Sequence, residues 1–347
     1  MASATLMQEA VRKAMNSPLF MPTIVGSAGL AAWKYDLQDV ARRFVTGPGR
    51  VGRILLLLAV VLNWKSLPFA WTYRVFNSFY FHLVRRKHVR LGPRALFKPV
   101  ITTTSAPILE IDYNMHKSNS TFFSDADVAR SHCVCYLIRT AWDNANNNRK
   151  TRLVLDPKTG EPMKGSLSLV LGAVECSFRK EISLFQKYEM WTNVLTWDRK
   201  WIYTVTYFVK KGTAKPTSWL DPSHIKAKTR TAKDAYGGWE RNILATSVAK
   251  YVFKLGRYTV HPAILLNDAG LLPERPGGWM SGEAQLGDET VDVSNIDLSK
   301  DGEWDWKRVE AQRRKGYEFG SQLSGLDDVK DMFDGGNQGA LGRWGPG

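Results

Sequence analysis

The stretch Glu110–His132, EIDYNMHKSNSTFFSDADVARSH, decides how this chain is read. Phe122, Phe123, Ala126, Val128, Ala129, Cys133, Tyr136, Leu137 and Thr140 recur at helical spacing as far as Trp142. That pattern predicts an amphipathic helix of about five turns, with Asn119 or Ser120 suited to its N-cap. Just ahead of it, Glu110, Asp112, His116 and Asn119 converge on one loop. A helix start offers unpaired N–H groups and partial positive charge, which can polarise a carbonyl oxygen or hold an anion. A carboxylate beside such a site can act as nucleophile or as general base toward water. The plainer reading of the same residues is a cap, a turn aspartate and a solvated histidine.

Outward from this stretch the chain has an α+β texture. Pro107–Ile111 reads as a short strand. Asn144–Gly165 is polar and holds the turn Asp156-Pro157-Lys158-Thr159-Gly160. Leu167–Phe178, Lys187–Trp197 and Trp201–Val209 are rich in β-branched and aromatic residues, and Asp198, Arg199 and Lys200 have the length and polarity of a hairpin loop. Ile243–Val260 supplies another extended stretch, broken at Gly256. The order is strand, long helix, then antiparallel strands able to wrap that helix. From about Leu271 the chain is rich in Gly, Asp and Pro, with one helical candidate at Trp304–Phe319, and its closing GGNQGALGRWGPG is expected to be mobile.

A chain of 347 residues with 44% hydrophobic, 12% aromatic and 23% charged residues is neither wholly disordered, collagen-like nor a coiled coil. Three cysteines exclude a disulfide scaffold and any paired zinc spacing. The net charge of +15 is uneven: residues 1–100 hold 15 Lys+Arg against 3 Asp+Glu, and residues 268–347 hold 9 against 16. The basic end also carries the apolar run Ile54–Leu62, ILLLLAVVL. Arg42, Arg43, Arg50 and Arg53 precede the run, and Arg85, Arg86, Lys87 and Arg90 follow it. Positive charge beside apolar sequence attracts anionic lipid, so a membrane surface ranks above nucleic acid as the partner of this end. A full span needs roughly 20 apolar residues, so a monotopic or re-entrant anchor at about 54–84 fits as well as a span. A buried core helix is the competing account. The run starts too far along for a signal peptide.

The quoted stretch resembles the hotdog-fold thioesterases, in which an acidic-x-Asp-x-x-x-His-x-x-Asn pattern precedes a helix reading roughly E/D-A-D-F-A-R. The nearest likeness is to the branch around thioesterase superfamily member 6 and its fungal relatives, some associated with secondary-metabolite clusters. Leu184–Val209, with its Trp197-Asp198-Arg199-Lys200-Trp201 hairpin, looks like that branch's paired strands, and Phe253–Val260 (FKLGRYTV) looks like its closing strand. The resemblance covers roughly Pro107–Pro262 and implies a single hotdog fold, a long helix wrapped by an antiparallel sheet. Position by position, Asp112 matches the carboxylate that does the chemistry in the hydroxybenzoyl-coenzyme A type, Glu110 the preceding acid, His116 the histidine and Asn119 the second asparagine. Two positions depart from the pattern: Met115 stands where the family has Gly, and Ser118 where it has the first of two asparagines. The first departure bears on how closely a backbone N–H approaches the thioester carbonyl.

The resemblance implies an acyl thioester hydrolase acting on acyl-coenzyme A or on a carrier-bound acyl or polyketide thioester. It needs no cofactor of its own, since coenzyme A or phosphopantetheine arrives with the substrate, and no metal. A homodimer is implied, because the acyl site of this superfamily forms between two units. The N-terminal segment matches a membrane anchor, placing the chain inside the cell at a membrane such as the endoplasmic reticulum, or in the cytoplasm if the apolar run is core. The alternatives are a non-catalytic acyl-binding or scaffolding hotdog protein and a hotdog hydratase or dehydratase. The domain reading is a basic N-terminal segment, 1–100, a hotdog domain, 101–265, and an irregular acidic tail, 266–347. Removal of residues 1 to about 90 is accordingly expected to leave a folded domain.

Other candidates are weaker. Glu175, on a strand facing the helix, is a candidate second carboxylate. Gly47-Pro48-Gly49-Arg50-Val51-Gly52 fits G-x-G-x-x-G by letter but follows no strand. No G-x-S-x-G exists, which removes the nucleophile elbow of an α/β-hydrolase. Cys133 and Cys135 read as structural, and His132 reads as a packed or surface histidine. Lys226, Lys228, Arg230 and Lys233 form a basic run suited to phosphates but read as a solvated loop, and Trp191, Trp197 and Trp201 read as sheet packing.

Overall fold

Residues 37–87, 89–224, 229, 238, 240–280, 292–298 and 302–329 are described by the computed structural model. The chain divides into two units, Met1–Trp64 and Lys65–Gly347. Lys226, Lys228, Arg230 and Lys233 and the chain end from residue 330 lie outside the described residues.

In the first unit, α1 (Leu37–Thr46) turns sharply into α2 (Arg50–Leu62). Gly49 takes φ 74°, the left-handed conformation glycine adopts without a Cβ penalty. The Arg53 guanidinium donates to the carbonyls of Arg43 at 2.9 Å and Pro48 at 2.7 Å, covering the open C-terminal end of α1. The G-x-G-x-x-G letters are therefore a helix–helix turn. No residue of α2 is buried, and Leu55–Leu58 and Val60–Leu62 are exposed. Among the described residues no single helix is long and apolar enough to cross a membrane. Gln38–Thr46 and Arg50–Leu62 meet the length and composition only as a pair bent by 107°.

The second unit is built on an antiparallel sheet ordered β1-β3-β4-β5-β2, with β6 pairing the end of β5. Its strands are β1 (Val100–Ser105), β2 (Leu167–Phe178), β3 (Lys187–Trp197), β4 (Trp201–Lys210), β5 (Ile243–Leu255) and β6 (Tyr258–Val260). Register shifts at Leu171/Ala173, Val194/Thr196 and Phe208/Val209 bend the strands and let the sheet curl. Gly172, inside the first of these shifts, has no room for a Cβ, which would lie 2.3 Å from the Trp201 ring. Helix α4 (Asn119–Leu137) lies along this sheet. Its buried face carries Phe122, Ala126, Ala129, Cys133, Val134 and Leu137, and the small residues let the strands approach. Phe122, Ala126 and Ala129 pack with Tyr188, Met190 and Phe208, the sheet side of the same core. One helix wrapped by one antiparallel sheet is the hotdog arrangement.

The first strand is Val100–Ser105, VITTTS, and not Pro107–Ile111. Pro107 has no N–H to give a ladder and opens a 3₁₀ turn, Ile108–Glu110, while the β-branched run before it suits a pleated edge. The long helix ends at Leu137 and restarts as α5 (Arg139–Asn146) after Ile138 leaves helical geometry. Cys133 and Cys135 are buried, and burial pushes both thiols up, Cys133 to about 12, so they are structural. Trp197 is fully buried and stacked on Phe97.

The domain boundary also moves. The unit begins at Lys65, not near residue 101, because α3 (Ala70–Phe79) and the π-helical turn Tyr80–Arg85 pack on α4. It also takes in part of the tail. Helix α6 (Trp306–Gly320) lies on β3, and at Gly316 a Cβ would sit 2.0 Å from the Leu195 carbonyl oxygen. Buried Glu310 joins Arg313 at 2.8 Å and Arg275 at 3.2 Å there.

Within the second unit, His82 Nε2 lies 2.8 Å from His132 Nδ1. Burial pulls His82 down to about 3 and His132 to about 4, so both rings are neutral at pH 7. Between those values and the unfolded value of about 6.5, the unfolded chain binds protons that the folded chain does not. Stability is therefore expected to be full above about pH 6.5 and to fall as the pH drops toward 4. His261, also pulled down to about 4 by burial, acts in the same direction. Thermal melts from pH 7.5 to 4.5 measure this, and a melting temperature independent of pH over that range contradicts it.

Candidate active site

Between the 3₁₀ turn and α4 the chain makes a small hairpin. Ile111 and Lys117 pair as an antiparallel bridge, and the Asp112 N–H donates to the His116 carbonyl at 3.0 Å. The Met115 N–H donates to the Asp112 carbonyl at 3.0 Å and closes the turn, while the Asn114 N–H donates to Asp112 Oδ1 at 2.9 Å. Met115 holds φ 65°, the conformation for which the family pattern supplies glycine. Met adopts it at a cost of about 1–2 kcal/mol. The sequence departure thus keeps the backbone shape that it places in question.

This turn puts Asp112 and His116 across from each other. Asp112 Oδ1 lies 3.8 Å from His116 Nδ1, too far for a hydrogen bond but close enough for a charge or a water to be shared. Their side chains are 23% and 24% exposed, so water and substrate reach both. His116 also pairs with Ser183, and its Nε2 lies 3.6 Å from Glu181 Oε1. Around the pair, Ile108, Leu109, Tyr113, Met115, Leu184 and Phe185 are exposed. An apolar surface beside two polar side chains is what an acyl chain or a second protein surface would cover.

Adjacent strand residues point to opposite sides, and the opposite side of this hairpin is dry. Lys117 is fully buried and ion-pairs with Glu110 and, at 3.1 Å, with Asp125 on α4. Lys65 reaches the same two carboxylates, each at 2.9 Å, and Arg74 meets Asp125 at 2.8 Å. The Tyr188 hydroxyl donates to Asp125 as well. Burial alone would push the Asp125 carboxyl up; Lys65, Lys117, Arg74 and Tyr188 outweigh it and hold it well below the usual carboxylate range. Burial in turn pulls the Lys65 ammonium down, opposed by Asp125.

Of the residues singled out in the sequence, Asp112 and His116 are brought together. Asn119 is the first residue of α4 and is exposed, with Ser118 in the cap position and its hydroxyl 3.0 Å from that of Ser120. Glu110 does not face Asp112; it belongs to the buried ionic cluster. Glu175 does not face the helix. It is exposed on β2 between Val174 and Cys176, which pack toward the core. Lys65, Arg74, Lys117, Asp125 and Tyr188 were not foreseen. A signal existed for Asp125, which shares a helical stripe with Phe122, Ala126 and Ala129. A cavity of about 420 Å³, lined by Arg94, Lys98, Val100, Tyr136, Trp191 and Trp219 among others, lies at the other end of β1 and does not include the hairpin.

A family model described as the thioesterase-like superfamily matches residues 106–234. The probable thioesterase atnL of Emericella nidulans is 33% identical over 337 residues, covering 93% of this chain and 98% of that protein. The thioesterase poxG of Penicillium oxalicum is 32% identical over 292 residues, 82% of this chain and 86% of its own. A probable thioesterase of Saccharomyces cerevisiae is 26% identical over 238 residues, 64% of this chain and 82% of its own.

Proposed function

This chain belongs to the thioesterase-like superfamily and is an acyl thioester hydrolase, and we propose that Asp112 is the residue through which it works. The observation that supports this is the hairpin tip, where a partly exposed carboxylate and an imidazole face each other 3.8 Å apart beside the start of α4. Asp112 takes a proton from a water as that water attacks the thioester carbonyl carbon. The C–O bond forms, the carbonyl oxygen gains negative charge near the helix start at Asn119, and the C–S bond then breaks. The departing thiolate takes up the proton held by Asp112, so the products are a carboxylic acid and a thiol and Asp112 returns to its carboxylate. A thiol with a pKa of about 8.5 leaves readily as thiolate, so a strong acid at the leaving group is not required. His116 orients the water or the carbonyl.

The substrate is an acyl group on coenzyme A or on carrier-bound phosphopantetheine, and no further cofactor takes part. A second copy of the chain covers the apolar surface around Asp112 and completes the acyl site. The first unit associates with an anionic membrane inside the cell, through the exposed apolar side of α2 and the arginines around it. Thiol release from a series of acyl-coenzyme A chain lengths tests the hydrolysis. Release at one or more lengths supports it; binding of every length without turnover favours the non-catalytic acyl-binding reading. Light scattering on the purified protein tests the dimer, which requires twice 39.2 kDa.

A further inference from the structure

We propose that Lys65 is a positioning residue for this hydrolysis, acting through Glu110 and Asp125 to hold the Asp112–His116 hairpin in place. The inference rests on the thioesterase reading and extends it to a residue that precedes β1 by 35 positions and carries no motif.

The Lys65 ammonium is 5% exposed. It donates to the Ser105 carbonyl at 2.8 Å and to Asp125 Oδ2 at 2.9 Å, lies 2.9 Å from Glu110 Oε2, and reaches the Tyr188 hydroxyl at 3.3 Å. A lysine has three N–H donors, so these acceptors use all of them. They come from the end of β1, the turn entering the hairpin, the second turn of α4 and the start of β3. One charge therefore ties together the pieces of backbone that converge beneath the hairpin.

Both arms of the hairpin run into this knot. The outgoing arm is held through Glu110, whose carbonyl also accepts from the Ser118 N–H at 2.8 Å. The returning arm is held through Lys117, which meets Glu110 and Asp125 and donates to Thr121 Oγ1 at 2.8 Å. Asp112 and His116 project from the tip between these arms. Lys65 is too buried to touch a substrate at the exposed tip, so its effect passes through Glu110. A misplacement of about 1 Å at reacting groups can cost about 10²-fold in rate. A hairpin freed on one arm is thus expected to lose turnover rather than affinity.

Removing Lys65 alone leaves Glu110 with Lys117 and Asp125 with Arg74 and Lys117, so each buried carboxylate keeps a cation. The test uses the full-length protein with acyl-coenzyme A. Lys65→Met is expected to lower kcat about tenfold or more, with KM within about twofold, at a temperature where circular dichroism shows the variant folded. Glu110→Gln breaks the same link from the other side while leaving the Lys65–Asp125 pair. It should lose kcat to a similar degree, and the double variant should be no slower than the slower single one, because the two residues act as one unit. Should Lys65→Met fail to fold, Glu110→Gln carries the same expectation alone. Variants with lowered melting temperature but wild-type kcat, or losses that multiply in the double variant, overturn the positioning role. An inactive wild type overturns the hydrolytic reading and this inference together; an active wild type with kcat intact in the variants overturns the inference alone.

Discussion

Deleting residues 1–90 is expected to leave a chain that does not fold, whereas deleting residues 1–64 leaves the second unit intact. The longer deletion removes Lys65 and Arg74, two of the three cations around Asp125 and Glu110. Asp125 is fully buried, and one lysine, Lys117, would then face two carboxylates. Taking away one partner of a buried pair costs about 3–5 kcal/mol, and two such losses approach the about 5–15 kcal/mol that holds a typical protein folded. The same deletion removes α3 from its seat on α4, His82 from His132, and Arg86 from Asp221 at 2.9 Å. The shorter deletion ends at the boundary between the units and breaks none of these contacts. Circular dichroism melts of both fragments measure the difference, and a fragment beginning at residue 91 that melts like the full chain contradicts it. Sedimentation with anionic vesicles adds a second comparison. The full chain should bind, the fragment beginning at residue 65 should not, and equal binding by both counts against the anchor.

That result reverses the expectation from the sequence, and the reason is physical. Lys65 and Arg74 sit amid apolar and aromatic residues, and nothing local says that their charges are neutralised by residues 45 to 60 positions away. Side-chain period reveals which face of an element is buried, not which distant charge meets it. Where local pattern suffices, the reading was accurate: β2, β3 and the 198–200 hairpin loop lie where their β-branched and aromatic residues place them. It failed at Pro107–Ile111, where an apolar composition outweighed the missing N–H of Pro107. In the site, the motif led to Asp112 and His116, because both lie on one seven-residue hairpin, Ile111–Lys117, whose geometry is local. It misjudged Glu175, since strand alternation leaves two faces to choose from and composition did not decide between them. Asp125 was legible as a charge inside an apolar helical stripe, though its three cations were not.

Asp112→Asn carries the largest expected effect on chemistry. Asparagine has the same shape, and its side-chain oxygen still accepts from the Asn114 N–H, so the hairpin should close as before. Asp112 also stands outside the buried ionic cluster, and the substitution leaves every carboxylate there with its cations. What is lost is the negative charge and the ability to take a proton. A positioned acid or base contributes about 10²–10⁴ to rate, so kcat should fall by about two orders of magnitude or more, with KM little changed. The most direct measurement is the kcat for thiol release from acyl-coenzyme A by wild-type protein and by Asp112→Asn, with melting temperatures taken on the same samples. A hundredfold or greater loss at an unchanged melting temperature is the predicted result; a variant that hydrolyses the thioester at the wild-type rate would contradict the assignment of the chemistry to Asp112.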